Sequence, residues 1–408
     1  MVWPCSPVIS LRYGYIPMVS GVTGSGPDLD TAEPSLEAGD SCKYMNVGVG
    51  VVTEHFISTW PGRYWQRLHD GRIQCDVCPR ACKLQAGQRG LCLVRASDGT
   101  QIILTTYGRS SGFYIDPLEK KPLYHFLPGT ATLSFGTAGC NLTCRFCQNW
   151  HLSKTRRFDR LLDIASPQTI AQAARRLDCH SVSFTYNEPV IALEYAVDTA
   201  QACHAMGIQT VAVTAGYITP TARREFFAHM NAANIDLKAF TEDFYHRLAT
   251  AHLEPILDTL RYLKHETNVW FELTTLLIPG ENDSHREIDA MTRWIVRELG
   301  PDVPLHFTAF HPSWKMTDKP PTLVETLKGA SAIAKANGMH YVYIGNVHHD
   351  GGGVTYCCKC GKRLIARSQN RISYYALTDG GCCQTCGTIC AGLFGCPPGR
   401  RRPPPTHR

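Results

Sequence analysis

Cys140, Cys144 and Cys147 lie in the stretch GCNLTCRFCQNWH as C-x3-C-x2-C, with no fourth cysteine close by. Structural zinc and ordinary iron–sulfur clusters take four protein ligands. Three thiolates on a 4Fe–4S cluster leave one iron open to a small molecule. The competing reading is a structural zinc site completed by a distant histidine or cysteine. The spacing, and a position just after the segment TLSFGTAG, favour the cluster.

Two further cysteine groups flank this one. Cys75, Cys78, Cys82 and Cys92 follow C-x2-C-x3-C-x9-C and could hold zinc or a second 4Fe–4S cluster. The pattern departs from the C-x2-C-x2-C-x3-C run of ferredoxins. Its C-x2-C, and the nearby Arg80, Lys83 and Arg89 that offset thiolate charge, lean toward zinc. Cys357 with Cys360, and Cys383 with Cys386, form two C-x2-C knuckles 22 residues apart, the signature of a zinc ribbon. Cys358, Cys382, Cys390 and Cys396 are surplus, so Cys382 stands as an alternative to Cys383. Cys179 and Cys203 read as small apolar residues, and Cys5 and Cys42 as isolated thiols.

The chain has 19 cysteines and lacks a basic, then apolar, leader pattern. Clustered cysteines without such a leader imply metal binding in a reducing compartment, and so a cytoplasmic location. No apolar run reaches the roughly 18 residues of a membrane span. The net charge is +6, from 41 Lys and Arg against 35 Asp and Glu. Arg400, Arg401, Arg402 and Arg408 supply four of those charges, so the body is near neutral and predicts no nucleic-acid surface.

These groups must be positioned by a scaffold. From about 130 to 346, short β-branched runs alternate with amphipathic helices. TLSFG, SVSFTY, IQTVAVT, NIDLKAF, VWFELTTLLI, PLHFTAF and HYVYIG read as strands. Ser166-Pro167 and Thr219-Pro220 read as helix caps, and Ser284 with Glu287 as a capping box. Strands alternating with helices imply an α/β fold with a parallel sheet. Seven strands and six helices suit a partial TIM-like (β/α)6 barrel, with a doubly wound sheet as the alternative. The domains expected are a disordered extension over 1–58 (Met45 being a possible true start), a four-cysteine metal module over 59–128, the barrel over 129–346, a zinc-ribbon-like module over 347–396 after the linker VHHDGGG, and a disordered basic tail over 397–408. DPLEKKPLYHF reads as a strap between the first module and the barrel. In such folds chemistry collects at the C-terminal strand ends. There Asp236 and Lys238 share one face of their strand, and Thr214 and Glu272 are further polar residues of the strands.

The cysteine loop resembles that of the radical SAM superfamily. CPRACKLQAGQRGLC, DPLEKKPLYHFLPGT, GTAGCNLTCRFCQNW, SFTYNEP, IDLKAFTEDFY, LTTLLIPGEND and YVYIGNV together resemble the AmmeMemoRadiSam-system radical SAM enzymes, a group similar to pyruvate formate-lyase activating enzymes. The resemblance implies S-adenosylmethionine (SAM) on the open iron and its reductive cleavage to a 5′-deoxyadenosyl radical. That radical would abstract hydrogen from a partner protein's glycine or a small substrate. It also implies an electron donor such as a flavodoxin or ferredoxin. Phe146 would lie near the adenine. Asn187 and Glu188, in the NEP segment, would meet the SAM amino group; Lys238 would meet its carboxylate, Asp236 would orient Lys238 or face the sulfonium, and Thr214 and Glu272 are weaker ribose candidates. His311 resembles a histidine after the same strand in the activators. Two departures stand out: Ala215 where activator-like sequences often carry Asn, and ATAHLEPILDTL without the expected glycines. The non-catalytic alternatives are a zinc scaffold for partner proteins and an electron carrier with a fourth cluster ligand.

Overall fold

The computed structural model describes Val8–Ile9 and residues 59–155, 161, 163–349 and 351–395. The basic tail, and the N-terminal extension apart from that two-residue strand, lie outside the described residues. Seven parallel strands form the sheet: β1 (Ala131–Phe135), β2 (Ser181–Phe184), β3 (Gln209–Thr214), β4 (Ala232–Asp236), β5 (Trp270–Leu277), β6 (Leu305–Ala309) and β7 (Val342–Gly345). They are hydrogen-bonded in chain order. A doubly wound sheet reverses its order at a switch point, so the sequential order selects the barrel-type winding. Among the described residues β7 does not pair with β1, and the barrel stays open. Phe113–Pro117 pairs antiparallel on the outer edge of β1, and Val8–Ile9 pairs with it in turn.

The strands are buried because helices cover the sheet; all four residues of β2 are inaccessible. The crossovers are α1 (Pro167–Arg176), α2 (Leu193–Ala205), α3 (Pro220–Ala228), α4 (Glu254–Glu266), α5 (His285–Leu299) and α6 (Val324–Ala336). Ser166 caps α1 by accepting the Thr169 amide. Two other expected caps differ, each because tertiary partners compete for the side chain. Thr219 makes no cap bond; its hydroxyl donates to the Asp76 carbonyl at 2.6 Å, tying α3 to the first cysteine module. Ser284 caps α5, but Glu287 does not complete the box: its carboxylate accepts the Phe240 amide beyond β4.

The first module is two small antiparallel sheets docked on the barrel by a buried ion pair, Arg95 to Glu194 at 2.8 Å. Arg63 also donates its amide to Glu194. The segment DPLEKKPLYHF is a strap, but its partner is the C-terminal module rather than the N-terminal one. Arg367 reaches Glu119 and the Tyr124 carbonyl, and His125 Nδ1 bonds the Ala391 carbonyl. VHHDGGG is not an open tether in its described part. The Ile344 amide donates to Gly352 O, and the C-terminal module shares a small core with Tyr124, Tyr341 and Tyr343.

Candidate functional site: a cysteine loop at the strand ends

The loop leaves β1 through Gly136 and Gly139, and both must be glycine. A β-carbon on Gly136 would come 2.6 Å from the Thr185 carbonyl. One on Gly139, whose φ is +84°, would come 2.0 Å from the Cys92 carbonyl. The loop is therefore wedged between the β2 exit and the first module.

Its backbone is clamped from four directions. The Thr143 and Arg145 amides donate to Ala249 O and Leu248 O, at 3.0 and 2.9 Å. Lys315 donates its amide to Arg145 O, and Ser313 its hydroxyl to Cys147 O. From the first module, Arg80 Nε donates to Asn141 O at 2.9 Å, and another of its nitrogens reaches Thr250 Oγ1. From the loop's own exit, Lys154 Nζ donates to Leu142 O. The ATAHLEP stretch, set apart by its missing glycines, thus serves as a shelf under the cysteine loop, with Thr250 in the left-handed region at φ 50°.

Asn187 belongs to this scaffold. Its amide nitrogen donates to Thr137 Oγ1, Ala138 O and Gly139 O, and its oxygen accepts the Thr137 amide. With both amide atoms committed to the loop, Asn187 holds the loop instead of presenting a free polar edge. Phe146 is buried and packs against Phe244, with ring centroids 5.7 Å apart.

The other candidates converge. Glu188 and Thr214 meet: the Thr214 hydroxyl and the Ala215 and Val190 amides all donate to the Glu188 carboxylate. Ala215 contributes its N–H, so no side chain is needed there. Burial pushes the Glu188 carboxyl above its ordinary range, against these three donors and the charge of Lys238. Lys238 Nζ donates to Asp236 Oδ2 at 2.7 Å. Burial disfavours its ammonium, but Asp236 and Cys144 outweigh burial and hold its pKa above the usual lysine value. Burial pushes the Cys140 thiol up to about 12, opposed by Lys154 and aided by Glu188. Cys144 is also raised by burial and lowered by Lys238. Cys140, Cys144, Glu188, Asp236 and Lys238 therefore share one electrostatic neighbourhood. Cys147 contacts Ser153 Oγ at 3.1 Å. His311 is exposed at the β6 exit, bonded to Asn346 O, two residues before the Ser313 that touches the loop.

Glu272 is the one candidate that lies elsewhere. It is the third residue of β5, toward the N-terminal end, because the strand begins at Trp270. There it accepts the Tyr124 and His125 amides and binds His306 Nε2 at 2.7 Å, anchoring the strap. Two residues were missed. Asn282 is buried and donates to Lys238 O and Leu276 O, locking the β4 and β5 exits together. The Tyr245 hydroxyl accepts the Lys238 amide. Both lie in segments that carry the family resemblance, LTTLLIPGEND and IDLKAFTEDFY, and that was the signal that could have found them.

In the C-terminal module the sulfurs of Cys357, Cys360, Cys383 and Cys386 lie within 4.8 Å of one another, and among the described residues no other cysteine group does so. Cys357 and Cys386 approach to 3.6 Å, Cys360 and Cys383 to 3.7 Å. Cys382 points instead toward Gly380 O, so Cys383 is the member of the set. The Thr388 hydroxyl and amide hold the Cys386 thiol down at about 6. Cys179 and Cys203 are buried in the core, as small apolar residues are.

Residues 135–291 match the model of the radical SAM superfamily. The chain is 38% identical over 304 residues to an uncharacterized protein of Methanocaldococcus jannaschii, a match spanning 74% of this chain and 90% of that one. Among solved structures it is similar to a domain of pyruvate-formate lyase-activating enzyme from Bacteroides vulgatus, with 19% identity, 41% of this chain and 99% of that one covered, and a TM-score of 0.36. It is also similar to a radical SAM methyltransferase from Sphaerobacter thermophilus, with 17% identity, 71% and 77% covered, and a TM-score of 0.44.

Proposed function

The chain belongs to the radical SAM superfamily, and from that premise we propose that Cys140, Cys144 and Cys147 hold a 4Fe–4S cluster whose fourth iron takes SAM by its amino and carboxylate groups. Membership implies an enzyme that uses such a cluster and SAM. Held by these three thiolates, such a cluster would supply the electron for reductive cleavage of SAM to methionine and a 5′-deoxyadenosyl radical, the species that would take hydrogen from a substrate.

The observation that carries this reading is the pairing of opposite charges beside the three thiols. An ammonium has three donors, and one of those on Lys238 is engaged by Asp236, leaving two to meet a carboxylate. The Glu188 carboxylate accepts three donors of about four it can take, leaving room for an amino group. An α-amino acid end presents those two groups together. Asn187, Asn282 and the Leu248–Ala249 shelf hold the surroundings rigid, which is what positions a reactive cofactor and excludes water.

The finer assignment to AmmeMemoRadiSam-system enzymes rests on the seven matching segments. A zinc ion on Cys357, Cys360, Cys383 and Cys386 is supported by their sulfur spacing. A reducing, cytoplasmic setting is supported by the free state of every cysteine among the described residues. A flavodoxin- or ferredoxin-type donor would supply the electron.

The test is anaerobic: reconstituted protein, dithionite and SAM should yield 5′-deoxyadenosine, and Cys144→Ala should abolish it. Equal yield from that variant, or a loop carrying zinc and no iron, overturns the reading.

A further inference from the structure

We propose that Cys75, Cys78, Cys82 and Cys92 hold a second 4Fe–4S cluster, not a single zinc ion, against the wall of the loop that carries the first. The inference rests in part on reading Cys140, Cys144 and Cys147 as a cluster loop, because the molecule then contains its own calibration.

One zinc ion draws four thiolates to about 2.3 Å, which sets the sulfurs about 3.8 Å apart in a tetrahedron. The C-terminal four match this, with contacts of 3.6 and 3.7 Å. In a cubane cluster each thiolate bonds a different iron, so the sulfurs stand further apart. Cys140, Cys144 and Cys147 do not gather within 4.8 Å of one another, and neither does any three of the N-terminal four. Yet all four N-terminal cysteines line a single cavity, together with Arg95 and Asn141. They surround a space; they do not converge on a point.

The wall of that space carries a second signal. Arg95 is 2% exposed, and its terminal nitrogens are engaged by Glu194 and by the carbonyls of Arg63 and Ile191. Its Nε–H has no partner. A buried donor without an acceptor is costly. The sulfides and thiolates of a cluster filling that space would offer it acceptors. Donors to cluster sulfur are also a recognised means of tuning its potential.

The two sites share structure. Asn141, which follows Cys140, lines the N-terminal cavity. Arg80, two residues after Cys78, donates to the Asn141 carbonyl. The Cys92 carbonyl sits against Gly139.

The experiment is metal analysis with EPR on full-length protein, produced with iron and zinc both supplied and purified without oxygen. Two clusters and one ribbon zinc predict about eight irons and about one zinc per chain. The triple variant Cys140→Ala, Cys144→Ala, Cys147→Ala should retain about four irons and a 4Fe–4S EPR signal on reduction. About four irons with about two zincs in the wild type, and an iron-free triple variant, overturns the second cluster and leaves the first standing. About four irons in both proteins sinks the reading of the first loop while supporting the N-terminal cluster. If the triple variant does not fold, the double variant Cys75→Ala, Cys78→Ala decides: loss of about four irons from the wild-type value supports the second cluster, and unchanged iron overturns it.

Discussion

The carbonyl oxygen of Cys92 lies where residue 139 would carry its β-carbon, 2.0 Å from that position. The first cysteine module and the loop carrying Cys140 thus approach more closely than any side chain allows. Gly139→Ala must move backbone as well as adopt a φ of +84°, and should cost more than about 2 kcal/mol. Gly207, at φ +73° with nothing within 4 Å, isolates the backbone effect. Gly207→Ala should cost about 1 kcal/mol. Urea unfolding of both variants, with iron content of the first, checks the difference; equal losses would show that the contact is not tight.

Lys238→Met should leave iron content unchanged and weaken SAM. A charge-assisted hydrogen bond of about 1.5–3 kcal/mol corresponds to a rise of roughly 10- to 150-fold in the apparent KM for SAM, read from 5′-deoxyadenosine formation. An unchanged KM would reduce Lys238 to an ion-pair partner of Asp236.

His125 gives the fold an acid-sensitive joint. Its Nδ1–H donates to Ala391 O and its Nε2 lies against the Tyr343 hydroxyl, each at 2.6 Å, where the neutral ring accepts a hydrogen bond from that hydroxyl. Burial lowers its pKa to about 4, against the pull of Glu272. The folded value lies below the unfolded one, so the unfolded chain takes up the proton first as pH falls. The stability contribution is whole above about pH 6.5 and is lost progressively toward pH 4, by an amount on the order of 3 kcal/mol. Glu272 is also held below its ordinary value, chiefly by His306 against burial, and its share is lost at still lower pH. His125→Gln should flatten the dependence of unfolding free energy on pH between 7 and 4; a variant as steep as the wild type would place the acid response elsewhere.

Neighbouring cysteines should behave oppositely in the C-terminal module. Cys383→Ala should remove about one zinc per chain and lower the thermal midpoint, because binding energy at such sites is folding energy. Cys382→Ala should change neither. Zinc retained by the first variant or lost by the second would shift the register by one residue.

The sequence by itself determined what is local. Cysteine spacing marks three groups because a knuckle or loop folds over a few residues. Alternating β-branched and amphipathic segments place seven strands and six helices, and Ser166 before Pro167 starts α1 as expected. Only the tertiary structure decided what depends on residues far apart in the chain. Thr219 and Glu287 exchanged cap bonds for partners in other elements. Asn187, which its motif assigns to the ligand, turned inward to the loop 48 to 50 residues before it. Glu272 sits at the far end of its strand because its partners His125 and His306 are there. The strap meets Ala391 across 266 residues. Sulfur separation, which distinguishes a space for a cluster from a point for an ion, is set by how whole elements pack, and residue spacing does not encode it.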